Sequence, residues 1–65
     1  MSPITLLRIP AVSARTGLSR SLIRLMVLQE RFPQPISITE RTVGWVESEV
    51  NDWIESRVKA GRAKN

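Results

Sequence analysis

Arginine carries the most evident chemistry of this 65-residue chain, in which eight of the ten cationic side chains are arginines. Arg20 and Arg24 are four positions apart, so on a helix they lie on one side, about one turn apart. Their planar guanidinium groups suit phosphate oxygens and the edge of guanine. We therefore predict that Arg20 and Arg24 contact nucleic acid, the alternative being a solvated surface.

Four further side chains are candidates for the same contact: Ser19, Ser21, Arg31 and Arg41. Ser19 is predicted to cap a helix, and its hydroxyl can also donate to a phosphate. Arg41 can enter a minor groove or touch a phosphate, unless it pairs with the neighbouring Glu40. Arg31 can bind a phosphate, or it can pair with Glu30 or with helix carbonyl groups.

The absence of His and Cys excludes much of the chemistry that small proteins perform. Thiol nucleophiles, imidazole bases, catalytic triads and the usual zinc sites all need one of these residues. At this length folding buries only about 60% of the surface of the unfolded chain, so the core must be small and apolar. We predict one domain over residues 1–65, with no catalytic activity, metal, cofactor or small-molecule substrate.

The net charge of +4 hides an uneven distribution along the chain. Residues 1–31 hold five arginines and one acid, residues 32–56 hold one arginine and five acids, and residues 57–65 hold four cations. The longest apolar run, Leu25 to Leu28, is far shorter than the roughly 20 residues of a membrane span. No targeting segment is recognisable at the start. We expect a cytoplasmic, nucleoid-associated protein with no membrane partner.

Two short helices joined by about three residues are predicted in the first half of the chain. Pro10 suits the first turn of a helix that runs to about Thr16, and Gly17 ends it in the left-handed conformation. Ser19 then caps a second helix that runs to about Gln29. A connection this short that carries a glycine is typical of a helix-turn-helix.

The second helix has more apolar side chains than a small core requires. Leu18 and Ile23 are predicted to anchor its inner face. Three leucines recur at a spacing of three: Leu22, Leu25 and Leu28. This leucine stripe is either a surface for self-association or a partner, or one part of a well-buried helix, and we expect burial.

A β-hairpin is predicted over about residues 36–45, after the prolines at positions 33 and 35. The alternation of apolar and polar residues predicts that four side chains turn inward: Ile36, Ile38, Val43 and Trp45. Since a two-stranded hairpin is barely stable alone, it must pack against the helices.

A third helix is predicted over about residues 47–60. Apolar residues from just before its start onward share one face: Val46, Val50, Trp53, Ile54 and Val58. The acids of its first turn and the cations of its last turn match the helix dipole. Gly61 is predicted to end the helix and to leave residues 61–65 as a frayed tail. The two tryptophans are expected to supply much of the core.

The order helix, turn, helix, hairpin, helix predicts a mainly α fold with a small β-hairpin, the winged helix-turn-helix. In this arrangement the second helix and the hairpin tip project from one side and place Arg20, Arg24 and Arg41 on one surface. Three more arginines are candidates for its edge: Arg8, Arg15 and Arg31. The acids lie mostly on the third helix, and this separation of charge favours binding to nucleic acid.

Several motifs of the chain occur in the order and spacing of one known family. They are TGLSRS, FPQP, ERTVGW and SEVNDW, within a similarity that covers about residues 7–58. On these motifs the chain resembles the AlpA family of prophage-type DNA-binding regulators, which are related to excisionases and to MerR-like DNA-binding domains. The resemblance implies that the second helix binds in the major groove of double-stranded DNA and that the wing lies on the neighbouring backbone or minor groove.

The chain differs from the usual pattern of that family at four positions. Arg24 stands where Tyr is usual, and Leu25 where a basic or polar residue is usual. Glu30 and Thr39 replace glycines that commonly close the second helix and open the wing. These differences affect the exposed face of the helix, its end and the wing, and they leave the core pattern intact.

The resemblance implies two related functions. The first is a sequence-specific transcription regulator of a prophage or mobile element. The second is a recombination directionality factor, which binds and bends attachment-site DNA beside an integrase. Because one small module has a small interface, a second copy on repeated sites is a candidate partner, as is an integrase. A protein-interaction module that uses the leucine stripe and the acidic third helix, without DNA, is the alternative from another class.

Overall fold

The structure is a computed structural model that describes residues 4–63. Six elements follow one another: β1 (Leu6–Leu7), α1 (Ile9–Thr16), α2 (Arg20–Leu28), β2 (Ile36–Thr39), β3 (Thr42–Val46) and α3 (Glu47–Ala63). The strands form one antiparallel sheet in the order β1–β3–β2. The prediction of a mainly α winged helix-turn-helix is confirmed. Within the described range, no helix is both long and apolar enough to cross a membrane.

Local hydrogen bonds hold the turn between α1 and α2. Gly17 follows α1 with a φ of 75°, the left-handed conformation predicted for it, and its N–H donates to the carbonyl of Ser13. The Ser13 hydroxyl donates to the carbonyl of Leu18 at 2.6 Å. Ser19 caps α2 as predicted, because its Oγ accepts from the N–H of Leu22 at 3.1 Å. These bonds fix the angle at which α2 leaves α1.

The chain leaves α2 through a second residue in the left-handed conformation. Glu30 has a φ of 57°, and no other non-glycine residue between positions 4 and 63 has a positive φ. This conformation favours glycine, the usual residue of the family pattern at this position. Beyond it, the N–H of Arg31 donates to the carbonyl of Met26 at 2.8 Å. The Gln34 amide donates to the carbonyl of Val27 at 3.0 Å. The loop therefore folds back on the end of α2.

The core draws one buried apolar side chain from each of six segments: Leu7, Val12, Ile23, Phe32, Trp45 and Val50. Phe32 lies edge-on to both tryptophans, with ring centroids 6.4 Å from Trp45 and 4.8 Å from Trp53. The indole N–H of Trp45 donates to the carbonyl of Pro33 at 2.8 Å. That of Trp53 donates to the carbonyl of Arg31 at 3.0 Å. The tryptophans thus fix the loop that carries the chain from α2 to the hairpin.

The hairpin does not bury all four side chains that alternation predicts. Trp45 is 3% exposed, but the other three are 40–49% exposed: Ile36, Ile38 and Val43. The register explains why the isoleucines are exposed. Ile36 pairs with Gly44, and positions 44 and 45 of β3 face opposite sides of the sheet, so Ile36 lies on the side away from Trp45. Ile38 lies over Gly44 as well, since a Cβ added to Gly44 would come 2.7 Å from the Cδ1 atom of Ile38. The two isoleucines therefore lie on the sheet face opposite the core.

The leucine stripe is exposed, contrary to the expected burial: Leu22 by 40%, Leu25 by 49% and Leu28 by 81%. The core contacts one side of α2, which Ile23 occupies fully, with Met26 and Val27 partly buried beside it. The leucines point in other directions from the helix axis, so the core cannot reach them.

Two further features differ from the predictions. β1 adds a third strand, in which Leu7 pairs with Trp45, and two residues are too few to show a periodicity in sequence. α3 continues through Gly61 to Ala63, and the last two residues of the predicted tail lie outside the described range. Val58 is 44% exposed, because from Glu55 onward α3 extends beyond the core.

Candidate nucleic-acid interface

An open groove lies between α2 and the hairpin, and we call it the α2–wing groove. Its apolar lining comes from α1, α2, the following loop and β3: Ile9, Val27, Leu28, Pro35, Val43 and Trp45. Its charged lining consists of three arginines: Arg8, Arg24 and Arg41. No carboxylate lines it, so three positive charges surround one concave surface without a compensating acid.

Each of these arginines is positioned by a defined local structure. Arg8 is the N-cap residue of α1, directly after β1. Arg24 lies in the middle of α2, whose start is fixed by its cap. Arg41 lies in the tight turn between β2 and β3, where its N–H donates to Thr39 Oγ1 at 3.3 Å. The three arginines therefore branch from backbone positions that secondary structure and local hydrogen bonds define.

The guanidinium groups of the groove are not engaged by acids. The one ion pair among residues 4–63 joins Arg15 to Glu47, so Arg41 does not pair with the neighbouring Glu40. Arginine that has no carboxylate partner keeps its planar set of donors available for an external anion. The groove is therefore suited to bind a phosphate backbone.

The N-terminal turn of α2 extends this basic surface. Arg20 does not line the groove, but it lies one turn before Arg24 on the same side of the helix and is exposed. Ser21 is exposed as well. The Ser19 oxygen accepts the cap bond and leaves its hydroxyl hydrogen free to donate.

Two arginines predicted at the edge of this surface do not line the groove. Arg15 donates to Glu47 Oε2 at 2.7 Å and to Asn51 Oδ1 at 3.1 Å, which ties α1 to α3. Arg31 lies in the loop after α2, where its backbone carbonyl accepts from the indole N–H of Trp53. Its exposed side chain does not line the groove and is not paired with an acid among residues 4–63. Glu47 and Asn51 of α3 hold Arg15 in place, and sequence spacing did not reveal this pairing.

Arg8 was only a candidate for the edge, and the structure places it in the groove. The signal that could have found it is Pro10, which marks the start of α1 and so puts Arg8 at the cap. What the sequence did not show is β1, which pairs with β3 and brings this cap beside the hairpin. The apolar lining of the groove, Pro35 and Val43 included, likewise depends on packing between distant segments.

Comparison with known proteins identifies the family. The family of the prophage CP4-57 regulatory protein, AlpA, matches residues 5–58. The uncharacterized protein ORF88 of Enterobacteria phage P4 is 40% identical over 58 residues, and the match covers 89% of this chain and 65% of that protein, just under two thirds. The DNA-binding transcriptional activator AlpA of Escherichia coli K12 is 31% identical over 64 residues, covering 89% of this chain and 91% of that protein. This chain belongs to the AlpA family.

Proposed function

We propose that this protein is a sequence-specific DNA-binding regulator, with α2 in the major groove of double-stranded DNA and the wing on the adjacent backbone or minor groove. The observation that carries the proposal is the convergence of Arg8, Arg24 and Arg41 on a groove that no carboxylate lines. Membership of the AlpA family and the similarity to a relative named as a DNA-binding transcriptional activator support it.

The side chains of this surface take different roles in the proposed complex. Arg24 projects from the middle of α2 and binds a guanine edge or a phosphate. Arg20, Ser19 and Ser21 surround the N-terminal end of α2, where hydroxyl, guanidinium and backbone N–H groups bind phosphate. Arg8 and Arg41 hold the strand that crosses the α2–wing groove. Arg31, exposed just after the end of α2, is a further candidate for a phosphate contact at the edge of this interface.

The distribution of acids supports the same orientation on DNA. Four of the six acids belong to α3, and the lining of the α2–wing groove includes none of the six. A duplex that approaches α2 and the wing meets Arg20, Arg24 and Arg41 against one acid, Glu40 of the wing turn. This excess of positive charge steers association and lowers repulsion. A transcription regulator and a recombination directionality factor would both use this surface, with an integrase or a second copy bound elsewhere.

The proposal is tested by titrating the protein with a 20-bp duplex at several salt concentrations. Phosphate contacts by Arg8, Arg20 and Arg41, with Arg24 as a fourth if it binds a phosphate, give a slope of log K against log salt of about −3 to −4. Arg24→Ala should weaken binding by about 1–3 kcal/mol and change the sequence preference if Arg24 reads a base.

Arg57→Ala is the matched control, because it removes the same charge from α3. Arg57 borders a different depression, together with Leu18 and Trp53. We expect its loss to change the affinity little. Equal losses for Arg24→Ala and Arg57→Ala would mean that DNA is held by net charge alone. Absence of binding at low salt would exclude DNA as the partner.

A further inference from the structure

The side of α2 that faces away from the core carries an apolar ridge. At about 100° per residue, Leu25 lies roughly 200° and Leu28 roughly 140° from the fully buried Ile23. The two leucines are 49% and 81% exposed. We call Leu25 and Leu28 the outer ridge of α2. It is the part of the helix that projects farthest from the core.

The surroundings of the outer ridge are cationic. The sequence of α2, RSLIRLMVL, contains Arg20 and Arg24 and no acid. Leu28 also lines the α2–wing groove together with Arg24 and Arg41. A surface that complements this ridge must therefore be anionic overall and yet present small apolar groups to the leucines.

The major groove of DNA has both properties. Its walls are phosphate backbones, and the methyl group of thymine is the apolar group that the four bases expose there. Leu25 and Leu28 are about 4.5 Å apart along the helix axis and about 60° apart around it, so their tips are separated by roughly one to two base-pair steps of about 3.4 Å. Two thymines within one or two steps of each other can thus meet the two leucines.

We infer that Leu25 and Leu28 contact thymine methyl groups and that this protein selects sites with thymines beneath the outer ridge of α2. The inference rests on the proposed function, in which α2 enters the major groove. It adds an apolar source of specificity to the hydrogen bonds of Arg24. It also gives a role to leucines that the core leaves in solvent.

The test compares duplexes that differ only in thymine methyl groups. The probe is the tightest-binding duplex recovered by selection from random sequences, synthesised with thymine and again with deoxyuridine. Wild type should bind the deoxyuridine duplex about fourfold more weakly for each contacted methyl lost, the scale of burying one such group. The slope against salt should not change, because no charge is removed.

Leu22 supplies a matched control on the same helix. It is 40% exposed, and it lies roughly 100° from Ile23 on the side opposite Arg24. Leu25→Ala should bind the two duplexes with more nearly equal affinity, about fourfold less discrimination than wild type. Leu22→Ala should discriminate as wild type does. Both variants should fold, because alanine favours helix and neither leucine is buried, and circular dichroism checks this.

Four outcomes overturn the inference, and only one of them also removes the proposed function. Wild type that binds both duplexes equally shows that no methyl is read, while DNA binding itself stands. Full discrimination by Leu25→Ala means that the methyl acts through the shape of the DNA. Loss of self-association in Leu25→Ala, with discrimination intact, makes the ridge a contact between copies. Failure to bind any duplex ends both proposals.

Discussion

Arg15 and Arg24 are the same residue type on two faces of one small domain, and their surroundings differ. Arg15 is bound to Glu47 at 2.7 Å and serves to join α1 to α3. Arg24 lines the α2–wing groove with two other arginines and no carboxylate. Arg15 has its charge paired within the protein, whereas Arg24 leaves its charge for an external anion.

This difference shows that available charge matters more than total charge. An exposed ion pair such as Arg15–Glu47, with side chains 40% and 31% exposed, stabilises the fold by only about 0.2–1 kcal/mol. The arginines of the groove repel one another in the free protein, and a phosphate backbone would relieve that repulsion. The groove and the face that carries Arg15, which we call the rear face, should therefore respond differently to mutation.

The largest effect on stability is expected at Trp45, which belongs to the core and also lines the groove. Trp45→Ala should lower the free energy of unfolding by about 3–5 kcal/mol, because the indole is 3% exposed and donates to Pro33. In a domain of this size, that loss leaves much of the protein unfolded. Trp53→Ala, on the rear face, should cost less because Trp53 is only half-buried.

Urea denaturation of the two variants checks this order. Trp45→Phe is the milder variant, since it keeps most of the packing and should remain folded while it loses the bond to Pro33. A larger loss of stability from Trp53→Ala than from Trp45→Ala would contradict the larger contribution expected of the more deeply buried Trp45.

An intermediate effect, on the salt dependence of DNA binding, is expected when one arginine of either face is replaced by alanine. Arg41→Ala should reduce the magnitude of the salt slope for DNA binding by about 0.9, the contribution of one phosphate contact. Arg15→Ala should leave the slope unchanged, although it removes the same charge, because Arg15 is bound to α3. Fluorescence anisotropy at four or more salt concentrations measures both slopes. Equal slopes for the two variants contradict the distinction between the faces.

The smallest effect is expected from Glu47→Gln. The change removes the carboxylate that holds Arg15, so the free energy of unfolding should fall by about 0.2–1 kcal/mol. The difference from wild type should shrink in high salt, where exposed charges are screened. Thermal unfolding at low and high salt measures it. A steeper salt slope for DNA binding by this variant would show that the freed Arg15 reaches DNA.

Features set by neighbouring residues could be predicted from the sequence. Gly17 takes the left-handed conformation and Ser19 caps α2, because both depend on the chemistry of the residue and its immediate neighbours. The inward direction of Ile23 follows from the period of the helix alone. The same local reasoning places Arg20 and Arg24 on one side of α2.

Features set by contacts between distant segments could not be predicted. The alternation of β2 is visible in sequence, but whether Ile36 faces the core depends on its pairing with Gly44. Arg15 and Glu47 are 32 positions apart, and no spacing rule relates them. Arg8 reaches the groove only because β1 pairs with β3. Register and side-chain pairing thus decided which arginines form the candidate interface.

The measurement that tests the central claim most directly is an NMR titration of the labelled protein with duplex DNA. If α2 and the wing bind DNA, the amide resonances of residues 19–28 and 36–43 should shift as duplex is added. Those around Arg57 on the exposed part of α3 should stay in place. The opposite result, shifts confined to the rear face around Arg15, Glu47 and Arg57, would contradict the account.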